Sequence, residues 1–185
     1  VAALRGYLQA AMATLLLTGA TGFLGSHILE RLDRDGWAGR LGIDTVRILA
    51  RNPEKSRALR LQSARLDLRR GDLMDGESVR DAAVGVDAVM HVAALYDMHS
   101  PWSDFYRANV EATRALIDGM RAGSSLILTS TYGVYGFPGS PRPIDEDYEP
   151  QRPVWHYQKT KKMQEDLARG LCRERLPEPG LLSGR

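Results

Sequence analysis

An apolar run, Leu15-Leu16-Leu17, stops at a glycine, and two more glycines follow at three-residue intervals: Gly19, Gly22 and Gly25. A helical pattern begins inside that spacing, with Leu24, Ile28, Leu29 and Leu32 on one face. The stretch reads as strand, tight turn, helix. Gly19 lets the chain leave the strand where a side chain would collide. Gly22 leaves backbone open to a close pyrophosphate, and Gly25 lets the helix lie tightly on the strand. The N–H groups and dipole at the helix start favour a phosphate. The same glycines also fit an ordinary strand-to-helix turn that needs them for geometry alone.

The rest of the chain alternates in the same way. Thr45–Ala50 reads as a second strand, closed by Arg51-Asn52-Pro53, with Pro53 suited to the first turn of a helix running to about Leu61. Arg65–Arg69 alternates as a third strand, and 77–83 reads as a short helix. Asp87–Val92 is a fourth strand, apolar as one buried on both faces should be. A long helix is expected over Asp104–Arg121, with Phe105, Ala108, Ala112, Leu116 and Met120 inward, and then a fifth strand over Ser125–Ser130. Residues 137–153 are rich in proline and acid and read as a long loop, the kind that often carries function. A helix follows over Tyr157–Cys172, and 176–185 shows no strand pattern. This order predicts an α/β, three-layer, doubly wound parallel sheet with ligands beyond the C-terminal strand ends.

With 185 residues the chain is long enough for one sizeable core. Its organisation reads as a non-core extension over 1–11, a nucleotide-binding domain over 12–175 and an irregular tail over 176–185. The 25 basic and 23 acidic residues balance to +2, which argues against nucleic acid or an anionic membrane surface as a partner. One cysteine, Cys172, permits no internal disulfide and suits a reducing, cytoplasmic setting. The four histidines lack metal-ligand spacing, so no metal is expected.

Two sets of residues carry chemistry. In this architecture the end of the second strand lies near the adenosine ribose, where an acid suits NAD and an arginine suits the 2′-phosphate of NADP. Arg51 stands there with no acid between Val46 and Pro53, which favours NADP; the alternative is an arginine in solvent. Asp72 and Leu73 are positioned to meet the adenine, although Asp72 equally suits a turn. Further on, Tyr157 and Lys161 sit at i and i+4 on one helix face. An ammonium beside a phenol pulls its pKa down from about 10, so Tyr157 can exchange a proton with a substrate oxygen. Thr131 follows the fifth strand and can bond the same oxygen. Asn109, on the long helix, is placed to link toward Lys161 through water or backbone.

These pieces stand in a definite order: T-G-A-T-G-F-L-G at Thr18–Gly25, G-D-L at Gly71–Leu73, H-V-A-A at His91–Ala94 and N-V-E-A-T at Asn109–Thr113. S-T-Y-G-V-Y-G at Ser130–Gly136, P-I-D-E-D at Pro143–Asp147 and Y-Q-K-T-K at Tyr157–Lys161 follow. Together they resemble the extended short-chain dehydrogenase/reductases, the NAD(P)-dependent epimerase/dehydratase family, over about Thr14 to Leu171. The resemblance implies that Gly19, Thr21, Gly22, Phe23, Leu24 and Gly25 hold the pyrophosphate and that Val92, Ala93, Ala94 and Leu95 line the cofactor. It implies a catalytic set of Thr131, Tyr157 and Lys161, with Asn109 in support and Lys161 also on the nicotinamide ribose. It further implies a small-molecule substrate bordered by Tyr96, Met98, Val134 and Tyr135, and a homodimer through the two long helices.

The chain departs from that pattern in three places. Threonine replaces the commoner serine at 131, Trp155-His156 stands where proline is usual, and the region after the tyrosine helix is short. Substrates implied by the resemblance are nucleotide sugars or dihydroflavonol-like and sterol-like ketones and alcohols, acted on at a carbinol or ketone carbon. The competing expectations are a non-catalytic NADP-binding module and a fragment that keeps only cofactor binding. With so little after residue 175, cofactor binding with little turnover is expected of these 185 residues.

Overall fold

A computed structural model describes residues 13–53, 64–136, 143–145, 148, 153–175 and 181–184. The extension expected over 1–11, the helix expected over 54–61 and most of the 137–153 loop lie outside the described residues.

Strand β1 (Ala13–Thr18) leads through the glycine turn into helix α1 (Phe23–Arg34), short helix α2 (Trp37–Leu41) and strand β2 (Ile43–Ala50). Strand β3 (Arg65–Arg70), helix α3 (Gly76–Ala83) and strand β4 (Ala88–His91) follow. The long helix begins as α4 (Trp102–Phe105), widens to a π-helical stretch over Tyr106–Glu111 and continues as α5 (Ala112–Gly119). Strand β5 (Ser125–Thr129), a 3₁₀ turn (Tyr132–Tyr135), helix α6 (His156–Arg175) and strand β6 (Leu181–Gly184) complete the order.

All strand pairs are parallel, in the order β3-β2-β1-β4-β5-β6. The expectation of an irregular 176–185 tail needs correction. Residues 181–184 pair with Leu126–Thr129 of β5, in a register that sets Leu126 beside Leu181. Four residues closed by a glycine are too short to show a period, and it is the open edge of β5 that gives them a ladder.

The consecutive leucines of β1 divide between the two faces of the sheet. Leu16 packs with Val79, Val89, Leu116, Leu126 and Ala168 under α3, α5 and α6. Leu15 and Leu17 pack with Leu29, Leu32, Val46 and Ile48 under α1 and α2. A strand covered on both sides is therefore apolar throughout. Leu24 is the exception to the expected α1 face: it is 45% exposed, because the first turn of α1 overhangs the strand ends. Polar side chains tie the sheet to its flanks: Asp87 Oδ2 accepts from Thr14 N at 2.7 Å, and Arg47 donates to Ala82 O and Val84 O at the C-terminal end of α3.

Candidate active site and dinucleotide cavity

The strand order reverses between β1 and β4, and in parallel sheets the crevice at such a point takes the ligand. The loops after these strands touch there. Gly19 has φ +74°, a conformation that L side chains rarely adopt, and a Cβ on it would lie 2.8 Å from Ala93 N. A Cβ on Gly25 would lie 2.2 Å from Gly19 O and 2.7 Å from Ala20 Cα. Gly22 N donates to Gly19 O at 2.9 Å, so the turn is closed by its own backbone. Gly22 is the N-cap of α1, no described side chain caps it, and no acidic residue lies in the first turn. The leading N–H groups of a 12-residue helix therefore face outward for an anion.

Above this turn lies a cavity of about 470 Å³. Thr21, Phe23 and Leu24 line one side, Arg51 and Gly71–Met74 another, and Val92–Leu95 the floor. Every cofactor residue expected from the sequence borders this space except Gly25, which sits beneath the turn, and Tyr157 and Lys161. Arg51 is exposed at the end of β2. Asp72 does two things: it lines the cavity, and its Oδ1 accepts from Met74 N at 3.0 Å to form the turn that the sequence allowed.

A second cavity, about 260 Å³, adjoins the first through Ser100, which lines both. Tyr157 borders it with Tyr96, Met98, Phe105, Trp155 and His156. The Tyr96 and Tyr157 rings meet edge to face with centroids 4.8 Å apart. Val134 and Tyr135, expected beside the substrate, are buried within the 3₁₀ turn and do not border this space. Their turn packs on α6, where a Cβ on Gly133 would lie 3.0 Å from the Gln158 side chain. Thr131 begins that turn, its Oγ1 accepting from Gly133 N at 3.2 Å.

The expected phenol–ammonium activation is not what this geometry holds. Burial, and then Tyr96, pushes the Tyr157 hydroxyl above its ordinary value. The Lys161 ammonium instead donates inward, to Thr129 O at 2.6 Å and to Gln164 Oε1. Lys161 is 2% exposed, and burial draws it down to about 8, with Glu165 acting the other way. A buried ammonium takes the acceptors nearest to it, and the end of β5 offers a backbone carbonyl. Asn109 makes its hydrogen bonds to residues other than Lys161. It lies in the π-helical stretch, accepts from Leu95 N at 2.8 Å and donates to Leu95 O and to Thr160 Oγ1 at 3.1 Å. It ties the cavity floor to α6 through the neighbour of Lys161.

Sequence reasoning passed over the polar side chains behind Lys161. His91, Thr113 and Gln164 are each fully buried. Gln164 Nε2 donates to Thr113 Oγ1 at 2.6 Å, and Thr113 Oγ1 donates to Asn109 O at 2.7 Å. His91 Nε2 lies 3.1 Å from Thr113 Oγ1, and its Nδ1 lies 2.7 Å from Thr18 Oγ1. The available signals were Gln164 at i+3 from Lys161, on the same helix face, and the H-V-A-A and N-V-E-A-T stretches, which contain His91 and Thr113. Ser130 Oγ is buried with no hydrogen-bond partner among the described residues. Among those residues no group of acidic, histidine or cysteine side chains could hold a metal, and no helix is long and apolar enough to cross a membrane.

Residues 15–176 match the family described as NAD dependent epimerase/dehydratase, and the chain belongs to that family. It is 30% identical over 158 residues to sterol demethylase protein B of Methylococcus capsulatus, covering 82% of this chain and 45% of that protein. It is also 30% identical over 166 residues to UDP-glucuronate 4-epimerase 4 of Arabidopsis thaliana, covering 84% of this chain and 37% of that protein. The chain thus spans less than half the length of these curated relatives. A solved short-chain dehydrogenase/reductase superfamily protein from Agrobacterium tumefaciens, with bound NAD, superposes with a TM-score of 0.66. The two are 27% identical, and the match covers 88% of this chain and 46% of that one.

Proposed function

We propose that the chain binds a nicotinamide dinucleotide across the β1–β4 crevice, NADP in preference to NAD. In this reading it forms the cofactor half of an oxidoreductase or epimerase acting at a carbinol or ketone carbon of a sugar or of a sterol-like or other cyclic ketone. The observation that carries the reading is the cradle itself. Gly19 and Gly25 leave no room for a Cβ, the helix start above them is uncapped, and the 470 Å³ cavity runs from there past Arg51. The relative solved with NAD and the epimerases among the curated relatives support it. Arg51 supports the NADP preference, since a guanidinium fork suits a phosphate. NADP+ should bind more tightly than NAD+ in a fluorescence titration, and Arg51→Ala should narrow that gap by about 1–3 kcal/mol. Equal affinities in the unaltered chain would refute the preference.

When bound, the nicotinamide supplies hydride transfer between its C4 and the substrate carbon. The protein's part is proton handling and position. Tyr157 is protonated at neutral pH as any ordinary phenol is, burial pushes its pKa further up, and it is set to donate to a carbonyl oxygen in the adjoining cavity. Thr131 follows β5 as the N-cap of the 3₁₀ turn and lines neither of the two cavities; the part of its hydroxyl in fixing that oxygen is carried by the sequence pattern alone. Lys161 keeps a buried cation at the end of β5, where it donates to Thr129 O. In a protein that includes the remainder of the relatives' length, Tyr157→Phe should lower turnover by about 10²–10⁴-fold and spare cofactor binding. Lys161→Met should impair both, and Thr131→Val mainly turnover. Full activity in Tyr157→Phe would remove Tyr157 as the proton donor.

A further inference from the structure

The hydrogen bonds behind Lys161 fit a self-consistent assignment of donors and acceptors. Thr113 spends its single proton on Asn109 O, so its Oγ1 can only accept from Gln164 Nε2 and from His91 Nε2. In this assignment His91 carries its proton on Nε2, and its Nδ1 accepts from the Thr18 hydroxyl. Thr18 Oγ1 in turn accepts from Ala93 N at 3.2 Å. At the other end the amide of Gln164 is fixed: Nε2 is committed to Thr113, so Oε1 faces the ammonium of Lys161. An unbroken chain of side chains thus runs from the backbone of the cavity floor, through the core, to Lys161.

We propose that Gln164 is the positioning residue for Lys161, its carboxamide oriented by Thr113 and His91 so that it turns the ammonium toward the end of β5 and couples it to the loop at Ala93. The inference rests on reading Lys161 as part of the site above. Gln164 cannot rotate to present its nitrogen to Lys161 without setting two donors against each other and leaving Thr113 with an unpaired acceptor. The alignment is therefore held by both ends. The other ionisable groups acting on Lys161 are Glu165 on the same helix, which favours its charge, and His91 on β4, which burial keeps neutral. Glu165 has one buried oxygen with no hydrogen-bond partner among the described residues, so it acts on Lys161 through space. Gln164 is the described side chain that touches the ammonium directly.

The chain has four lysines, Lys55, Lys159, Lys161 and Lys162, so the Cε signals of a ¹³C-lysine-labelled sample are few enough to follow through a pH titration. Loss of one signal in Lys161→Met assigns it. Gln164→Glu places a carboxylate on the ammonium and should raise the Lys161 midpoint by about one pH unit or more. Gln164→Leu removes an acceptor from the charged form and should lower it by about half a unit or more. Thr113→Val, which frees the amide to rotate, should move it in the same direction as Gln164→Leu. A role for Gln164 in packing alone would leave the midpoint unchanged in all three while lowering thermal stability, and that result overturns the proposal. The NMR midpoint reads the Gln164–Lys161 contact directly. NAD+ titration of the unaltered chain separately reads whether the site takes a dinucleotide, so the two failures are distinguishable.

Discussion

Gly25→Ala should disable the dinucleotide cradle while leaving most of the sheet in place. The added methyl would meet Gly19 O at 2.2 Å and Ala20 Cα at 2.7 Å, and both are backbone atoms of a turn already held at a positive φ. No side chain can rotate to relieve the contact, so either α1 lifts or the turn opens. Overpacking of this kind costs about 1–3 kcal/mol of stability. Binding should suffer more. A displaced helix start loses at least two charge-assisted N–H bonds to the pyrophosphate, at about 1.5–3 kcal/mol each, a weakening of roughly 100-fold or more. Gly39→Ala is the control, because a Cβ there meets nothing within 4 Å. Chemical denaturation with an NADP+ titration reads both effects. A Gly25→Ala chain with native stability and affinity would show that the turn is not what seats the ligand.

Acid should destabilise the chain through His91. Burial, and then the charge of Lys161, pushes its pKa from 6.5 down to about 3. Between these values the unfolded chain takes up a proton that the native chain refuses. The unfolded state then binds more protons, and stability falls as pH falls. Lowering the pH from about 7.5 to about 4.5 should therefore cost about 3 kcal/mol from this residue alone. The hydrogen bonds act in the same direction: a proton on Nδ1 would face Thr18 Oγ1, whose own hydrogen points there in the assignment above. His91→Gln can keep an acceptor for Thr18 and a donor for Thr113 without a titrating ring. Urea unfolding at both pH values should show that variant losing about 3 kcal/mol less than the parent on acidification. An identical loss in both would place the acid sensitivity elsewhere.

What could be read in the sequence and what could not have physical explanations. The glycine spacing was legible because each glycine answers a local steric demand, and Gly19 and Gly25 meet theirs against backbone. The inner strands were legible because burial on both faces makes them largely apolar, as in Leu15–Leu17, and the edge strand β3 because its side chains alternate. Leu24 followed the helical period but not the core, since period says nothing of where a helix overhangs its sheet. Strand β6 was hidden because its only cause is the edge of β5. The i, i+4 spacing put Tyr157 and Lys161 on one face, yet side-chain direction is chosen by acceptors far away in sequence. Thr129 O and Gln164 Oε1 claim the ammonium, and Tyr157 is left to burial and Tyr96. Gln164, Thr113 and His91 come together across separations of 51 and 22 residues, which no local motif encodes.

Amide hydrogen exchange with and without a nicotinamide dinucleotide tests the central claim most directly. Saturating NADP+ should slow exchange in the glycine turn, residues 19–25, and in the cavity floor, residues 92–95, with smaller protection next to Arg51. The α1 amides beyond the first turn and the β3 edge should not change. Unaltered exchange at 19–25 with millimolar NADP+ or NAD+, in a chain that stays folded, would contradict the account, as would protection confined to a different surface.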